Sequence, residues 1–225
     1  MHRFQIDKPL LPLYDEMMDL YRQLFKELDR RGYIRKGPSH RDREKLSKIW
    51  DMSRDLGQTL NYMYSLFDPK DPHREDRMKK LNQLGLTDHH ITYLCLQSML
   101  STFLVNVESV FRFSFLFFLN DRFFNERSYK KATMTVSSLL KELKKVYSPA
   151  AEIAGAFDQD IRNSLAHGSF WFENGKWCIT TDAHMKRVKC FELLEVMKKF
   201  KRANTAAMAF TDVLLEEINK GTFRA

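Results

Sequence analysis

The residues best suited to chemistry in this chain sit in one short stretch, Asp160 to Gly168. It holds Arg162-Asn163, three further residues, and then His167. A histidine titrates near neutral pH and can either take or give a proton. An arginine brings a permanent charge on a forked donor, suited to negative charge building on phosphoryl oxygens. Asn163 can orient an imidazole or bind a phosphate oxygen. These residue types suit attack by a ribose 2′-hydroxyl on its neighbouring phosphate. That step needs one proton removed from the hydroxyl and one delivered to the leaving 5′-oxygen, and no metal.

The spacing places the stretch at the end of a helix spanning about 149–166, with Gly168 as its stop. At about 100° per residue, Asp160, Asn163 and His167 share one polar stripe, and Arg162 lies beside it, one turn after Asp158. Ile153, Phe157, Ile161 and Leu165 form the opposite, apolar face. Arg162 and His167 are about 140° apart on a straight helix, so they converge only if the helix ends near His167. Each residue also has a purely structural reading. A terminal histidine caps carbonyls and favours the helix dipole, and an arginine one turn after an aspartate makes a weak surface pair.

The pattern Arg162-Asn163-x-x-x-His167 resembles the HEPN superfamily, whose ribonuclease members carry an arginine, often followed by asparagine, and then a histidine four to six residues on. The setting is similar too, late in a helical domain and after a long apolar helix. The resemblance covers roughly residues 86–220. It implies an all-α helical bundle acting as a metal-independent endoribonuclease on RNA, without a cofactor. It further implies a homodimer with a composite active site, in which Arg162, Asn163 and His167 are catalytic. It suggests phage defence or a toxin–antitoxin system, with a partner protein or RNA that inhibits or activates the nuclease. The family also contains noncatalytic members that serve as RNA- or partner-binding scaffolds.

The surrounding elements read as helices. Leu13, Met17, Leu20, Leu24 and Leu28 make one stripe over 10–31, ending at Gly32. Gly37-Pro38 reads as a turn, and Ser39 to Asp42 as a cap opening a helix that carries Leu46, Ile49, Trp50, Leu56, Leu60 and Met63. That helix ends before Asp68-Pro69. A short helix is expected at about 75–84. A long apolar helix follows, capped by Thr87 or Asp88 and running to about Asn125, then another at about 133–147. Aromatic and β-branched runs on either side of Asn174-Gly175 predict a β-hairpin with a type I′ turn. A last helix spans about 184–219. The expectation is an all-α bundle with one small hairpin: residues 1–85 as an N-terminal helical extension packed on a core of 86–225, or one continuous domain.

Around the motif, Glu108 pairs with Arg112 at i,i+4 or supports Arg162 or His167 from a facing helix, and Asp158 and Asp160 are further supporting candidates. Lys and Arg total 37 against 29 Asp and Glu, a net charge of +8 that suits an RNA partner. Two basic stretches supply binding candidates: Arg30, Arg31, Arg35 and Lys36 in the first, and Lys186, Arg187 and Lys189 in the second. Trp171 is placed to stack on a base. The same features also fit ordinary solvated helix faces and a hairpin packed on its bundle.

With 44% apolar residues the chain has enough to build a core, which excludes a disordered protein. The sequence carries no H-E-x-x-H, CxxC, Walker or GxGxxG pattern, so no metal or nucleotide site is expected. Cys95, Cys178 and Cys190 read as reduced thiols of a cytoplasmic protein. Ile91 to Leu119 is apolar, but Glu108 and Arg112 lie within it. It reads as the central helix of a bundle rather than a membrane span.

Overall fold

A computed structural model of the chain describes residues 6, 8–35, 44–52, 54, 55, 58, 66, 71–180 and 187–220. The expected turn at Gly37-Pro38, the cap at 39–42, and Leu56, Leu60, Met63 and Asp68-Pro69 lie outside these residues. The described chain is mostly helical with one small antiparallel sheet.

Helix α1, Leu11–Arg30, buries Tyr14, Met17, Tyr21, Leu24 and Leu28 at spacings of three and four. Backbone at 44–52 is also helical. Helix α2, Arg74–Gln83, is mostly polar and has no fully buried residue; Met78 and Leu81 are half-buried. Helix α3, Asp88–Leu104, starts at Thr87, whose hydroxyl accepts from the His90 N–H at 3.4 Å, while the His90 Nδ1 accepts from the Thr87 N–H at 3.2 Å. This reciprocal cap satisfies two N–H groups that the first turn cannot.

The rod then changes its winding. Val105–Phe113 is π-helical, with backbone bonds from i to i+5, before α-helical bonding resumes in α4, Ser114–Phe118. The sequence shows nothing of this, because the apolar pattern simply continues. The expected run to Asn125 is interrupted at Leu119-Asn120, which is extended; Leu119 bridges to Ile34, and Asn120 caps a separate short helix α5, Asp121–Asn125. Among the described residues, His90–Phe118 is the one helix long and apolar enough to cross a membrane, and 56% of its most apolar window is buried inside the protein.

Helix α6, Val136–Val146, is followed by a turn at Ser148-Pro149 and by α7, Ala151–Ala156. The expected helix 149–166 is broken at Phe157-Asp158, and α8 is Gln159–Ala166. Strands β1, Phe170–Glu173, and β2, Lys176–Thr180, form the hairpin. Asn174 and Gly175 both have positive φ, 50° and 74°, as a type I′ turn demands. A third strand, β3, Val188–Glu192, adds to β2 where a helix was expected. The strand is only five residues long and runs straight into the helical pattern of α9, Leu193–Lys220.

The core forms where α1, the π segment, α4 and α9 meet. Phe210 of α9 lies 4.8 Å from Phe115, 5.1 Å from Phe111 and 5.3 Å from Tyr21, centroid to centroid. Phe157 joins through Phe111 at 4.8 Å. Each such ring contributes roughly 1.5–3 kcal/mol by leaving water. Among the described residues the buried Tyr21 hydroxyl has no partner, and burial pushes its pKa well above the ordinary tyrosine value. Beside this core, Arg22 clamps Glu216 through two bonds of 3.0 and 2.8 Å, and Tyr14 donates to the buried Asp212 carboxylate at 2.5 Å. Together they tie α1 to α9.

The expectation of three reduced thiols is corrected. Cys178 and Cys190 face each other across β2 and β3 and are joined as a disulfide. Direct opposition on neighbouring strands brings their Cα atoms to 4.0 Å, a closeness that the sequence separation of 12 residues does not reveal. Cys95 is free and buried, and burial pushes its thiol up to about 11.

Candidate functional site

Helix α8 is held at both ends. At its start Asp158 sits in the left-handed region, φ +40°, a conformation aspartate tolerates better than most residues. Its Oδ1 accepts from the Ile161 N–H at 3.2 Å, and its Oδ2 binds the Lys199 ammonium of α9 at 2.9 Å. This kink is why the expected single helix becomes two. At its end Gly168 takes φ +64°; the Ser169 N–H reaches the Ser164 carbonyl at 2.8 Å and the Gly168 N–H reaches that of Leu165 at 3.3 Å. That pair of bonds is a Schellman termination, and it makes His167 the C-cap. Ile153, Phe157, Ile161 and Leu165 are all buried, as the apolar face requires.

Arg162 points inward to meet the π segment. Its Nε donates to Glu108 Oε1 at 2.6 Å, and its Nη2 pairs with the same oxygen. Its Nη1 donates to Ser137 Oγ at 3.3 Å and to Asn163 Oδ1. Four of its five N–H groups are therefore engaged, and among the described residues one Nη2 hydrogen has no partner. The alternative, a surface ion pair with Asp158, does not form; only the Arg162 backbone N–H contacts the Asp158 carbonyl. Nor does Glu108 pair with Arg112. Arg112 instead gives its Nε to the Met134 carbonyl at 2.6 Å, leaving the carboxylate to Arg162.

His167 is exposed, and among the described residues its imidazole makes no hydrogen bond. The helix end thus presents an open imidazole about 7–8 Å of axial rise beyond an arginine fixed in the interior. Asn163 holds Arg162 rather than the imidazole. Asp160 pairs with Lys189 of β3, so it fastens the sheet to α8 and does not reach the motif's side chains.

The RNA-binding candidates scatter. Arg30 and Arg31 both bind Glu27, and Arg31 also donates to the Val146 carbonyl at the C-terminal end of α6. Arg162 contacts the first turn of α6, about 14 Å away along the helix. The Arg35 backbone N–H bonds Phe118. Lys36 and Lys186 lie outside the described residues. Arg187 is exposed, Lys189 is committed to Asp160, and the Trp171 indole donates to Glu173 at 3.3 Å. Ser137, which holds the motif from α6, was not singled out in the sequence, because a lone serine carries no spacing signal; Lys199 of α9 belongs to the second basic stretch of the sequence, but it binds Asp158. Among the described residues no group of three His, Cys, Asp or Glu is placed to hold a metal ion.

Compared with models of known protein families, with curated proteins and with solved structures, the chain matches none.

Proposed function

We propose that the chain is a metal-independent endoribonuclease of the HEPN type, working through His167 and Arg162. The observation that carries this reading is the exposed, unpartnered His167 imidazole, held at a defined helix end five residues after an arginine whose direction Glu108, Ser137 and Asn163 fix. His167 takes the 2′-hydroxyl proton or protonates the leaving 5′-oxygen, and the Arg162 guanidinium faces the phosphoryl charge. One imidazole cannot hold and lack the same proton, so a second copy of the chain supplies the complementary histidine in a homodimer. Phage defence or a toxin–antitoxin role, with a controlling partner, follows from the same resemblance.

A second reading has its own support. Arg162 commits four of its five N–H groups to Glu108, Ser137 and Asn163, which suits a structural arginine in a noncatalytic RNA- or partner-binding scaffold. Cleavage of a mixed labelled RNA in excess EDTA, wild type beside His167→Ala, decides between the two. Cleavage by wild type alone, with cyclic or 2′/3′-phosphate ends, establishes the ribonuclease. RNA binding that survives His167→Ala, with no cleavage by wild type in the presence of its partner, favours the scaffold.

A further inference from the structure

A line of cations and aromatic rings runs towards the motif along the segment 131–137. Lys131 lies 5.8 Å above the Phe117 ring. Three residues on, the Met134 carbonyl accepts from Arg112 Nε, and the Arg112 guanidinium lies 5.2 Å from the Phe113 ring. Three residues further, Ser137 Oγ accepts from Arg162. The three cations are thus attached at every third residue of one stretch of backbone.

Two features separate this line from an ordinary solvated face. Arg112 is not neutralised: Glu108, the acid one turn before it, is committed to Arg162, and among the described residues the Arg112 Nη1 and Nη2 have no partner. Phe113 is 47% exposed on a segment whose other large residues are mostly in the core, and Phe117, one turn on, shares its face. An exposed ring beside an uncompensated guanidinium offers one surface for a base and one donor for the phosphate next to it.

We propose that this strip is a binding track for single-stranded RNA, in which Arg112 holds a backbone phosphate and a base stacks on Phe113. The track leads the strand past Arg162 to His167. Single strands suit it because their bases are free to stack, which a duplex does not allow. Met134 and Ser137 are three residues apart, so Arg112 and Arg162 attach within about 11 Å of each other along the chain, a reach of a few nucleotides at most. The proposal deepens the ribonuclease reading and rests on it for the destination of the strand; the binding itself does not require cleavage.

The test is fluorescence anisotropy of a short labelled oligouridylate with the full-length His167→Ala protein, so that cleavage cannot interfere. Phe113→Ser in that background should weaken binding about tenfold or more, and Phe113→Trp should restore it. Arg112→Gln should weaken binding and lower the slope of log K against log salt by about 0.7, the share of one phosphate contact on a single strand. A duplex of the same length should bind more weakly than the single strand. If Arg112→Gln perturbs the fold, seen as a lowered Tm, the Phe113 pair decides alone, because that ring is at the surface. Unchanged affinity in Phe113→Ser, equal affinity for duplex and single strand, or no binding at all overturns the track. Wild-type cleavage with a Phe113-independent affinity would sink the track and leave the ribonuclease standing. Phe113-dependent binding without any cleavage would do the reverse.

Discussion

The aromatic centre and the α8–sheet flank of this protein are held by different forces. At the centre, Phe111, Phe115, Phe157 and Phe210 meet within 5.1 Å, centroid to neighbouring centroid, and the polar ties between α1 and α9 lie beside them. On the flank, α8 buries Ile161 and Leu165, but its position is set by Glu108, Lys189 and Lys199, and the sheet is closed by a disulfide. Apolar packing fixes the bundle, and ion pairs aim the candidate site. A site aimed this way can be moved without melting the protein, which the centre does not permit.

Phe210→Ala should cost about 3–5 kcal/mol, because a cavity opens among four rings, and urea unfolding should report one shifted transition for the whole molecule. Reducing Cys178–Cys190 should cost at most about 3 kcal/mol, from the freed loop of roughly a dozen residues. Hydrogen exchange should place that loss at β3 rather than at α1 or α9. Glu108→Gln should cost about 1–3 kcal/mol, less than a fully buried pair, because the Glu108 side chain is 28% exposed. It should also change RNA cleavage by more than the stability loss explains, since Arg162 loses the carboxylate that aims it. If Glu108→Gln left cleavage intact, the aiming role would be wrong. Lys189→Gln should cost under about 0.5 kcal/mol, as exposed pairs do.

Acid sharpens the same contrast. The Arg22 guanidinium holds the Glu216 carboxyl below the usual range, and Arg30 and Arg31 hold that of Glu27 down to about 2. A depressed carboxylate stabilises the fold above its unfolded pKa, and the contribution disappears as pH falls through the folded value. The ties of α1 should therefore weaken as pH drops from about 4.3 towards 2. Arg22→Gln should flatten that part of a stability-against-pH profile, and a profile that keeps its slope would show that the acid loss comes from elsewhere.

Much of the helical scaffold is legible because its signals are local. The α1 stripe, the Thr87 cap, the Asn174-Gly175 turn and the Gly168 stop each depend on residues within one or two turns. The failures are non-local. The i,i+4 pair of Glu108 with Arg112 does not form, whereas the facing-helix alternative, Glu108 supporting Arg162 across 54 positions, does. The π winding at Val105–Phe113 has no residue of its own to announce it. Strand β3 exists because β2 offers it a free edge, and Cys190 pairs only once β3 is in register. Within the motif, His167 is where the helix-end reading places it; of the partners of Arg162 from other helices, Glu108 was open to the sequence and Ser137 was not.

The Cys178–Cys190 bond also changes what the chain is as a graph. The polypeptide is no longer a simple line but a line with one closed ring, and the ring sits between the motif and α9. A single peptide cut anywhere inside it would leave everything up to β2 and everything from β3 onward as one molecule, parting only on reduction. Protease treatment followed by non-reducing and reducing gels would therefore read the state of this ring directly. So long as it is closed, a cut between Cys178 and Cys190 cannot part His167 from the long helix that carries Phe210.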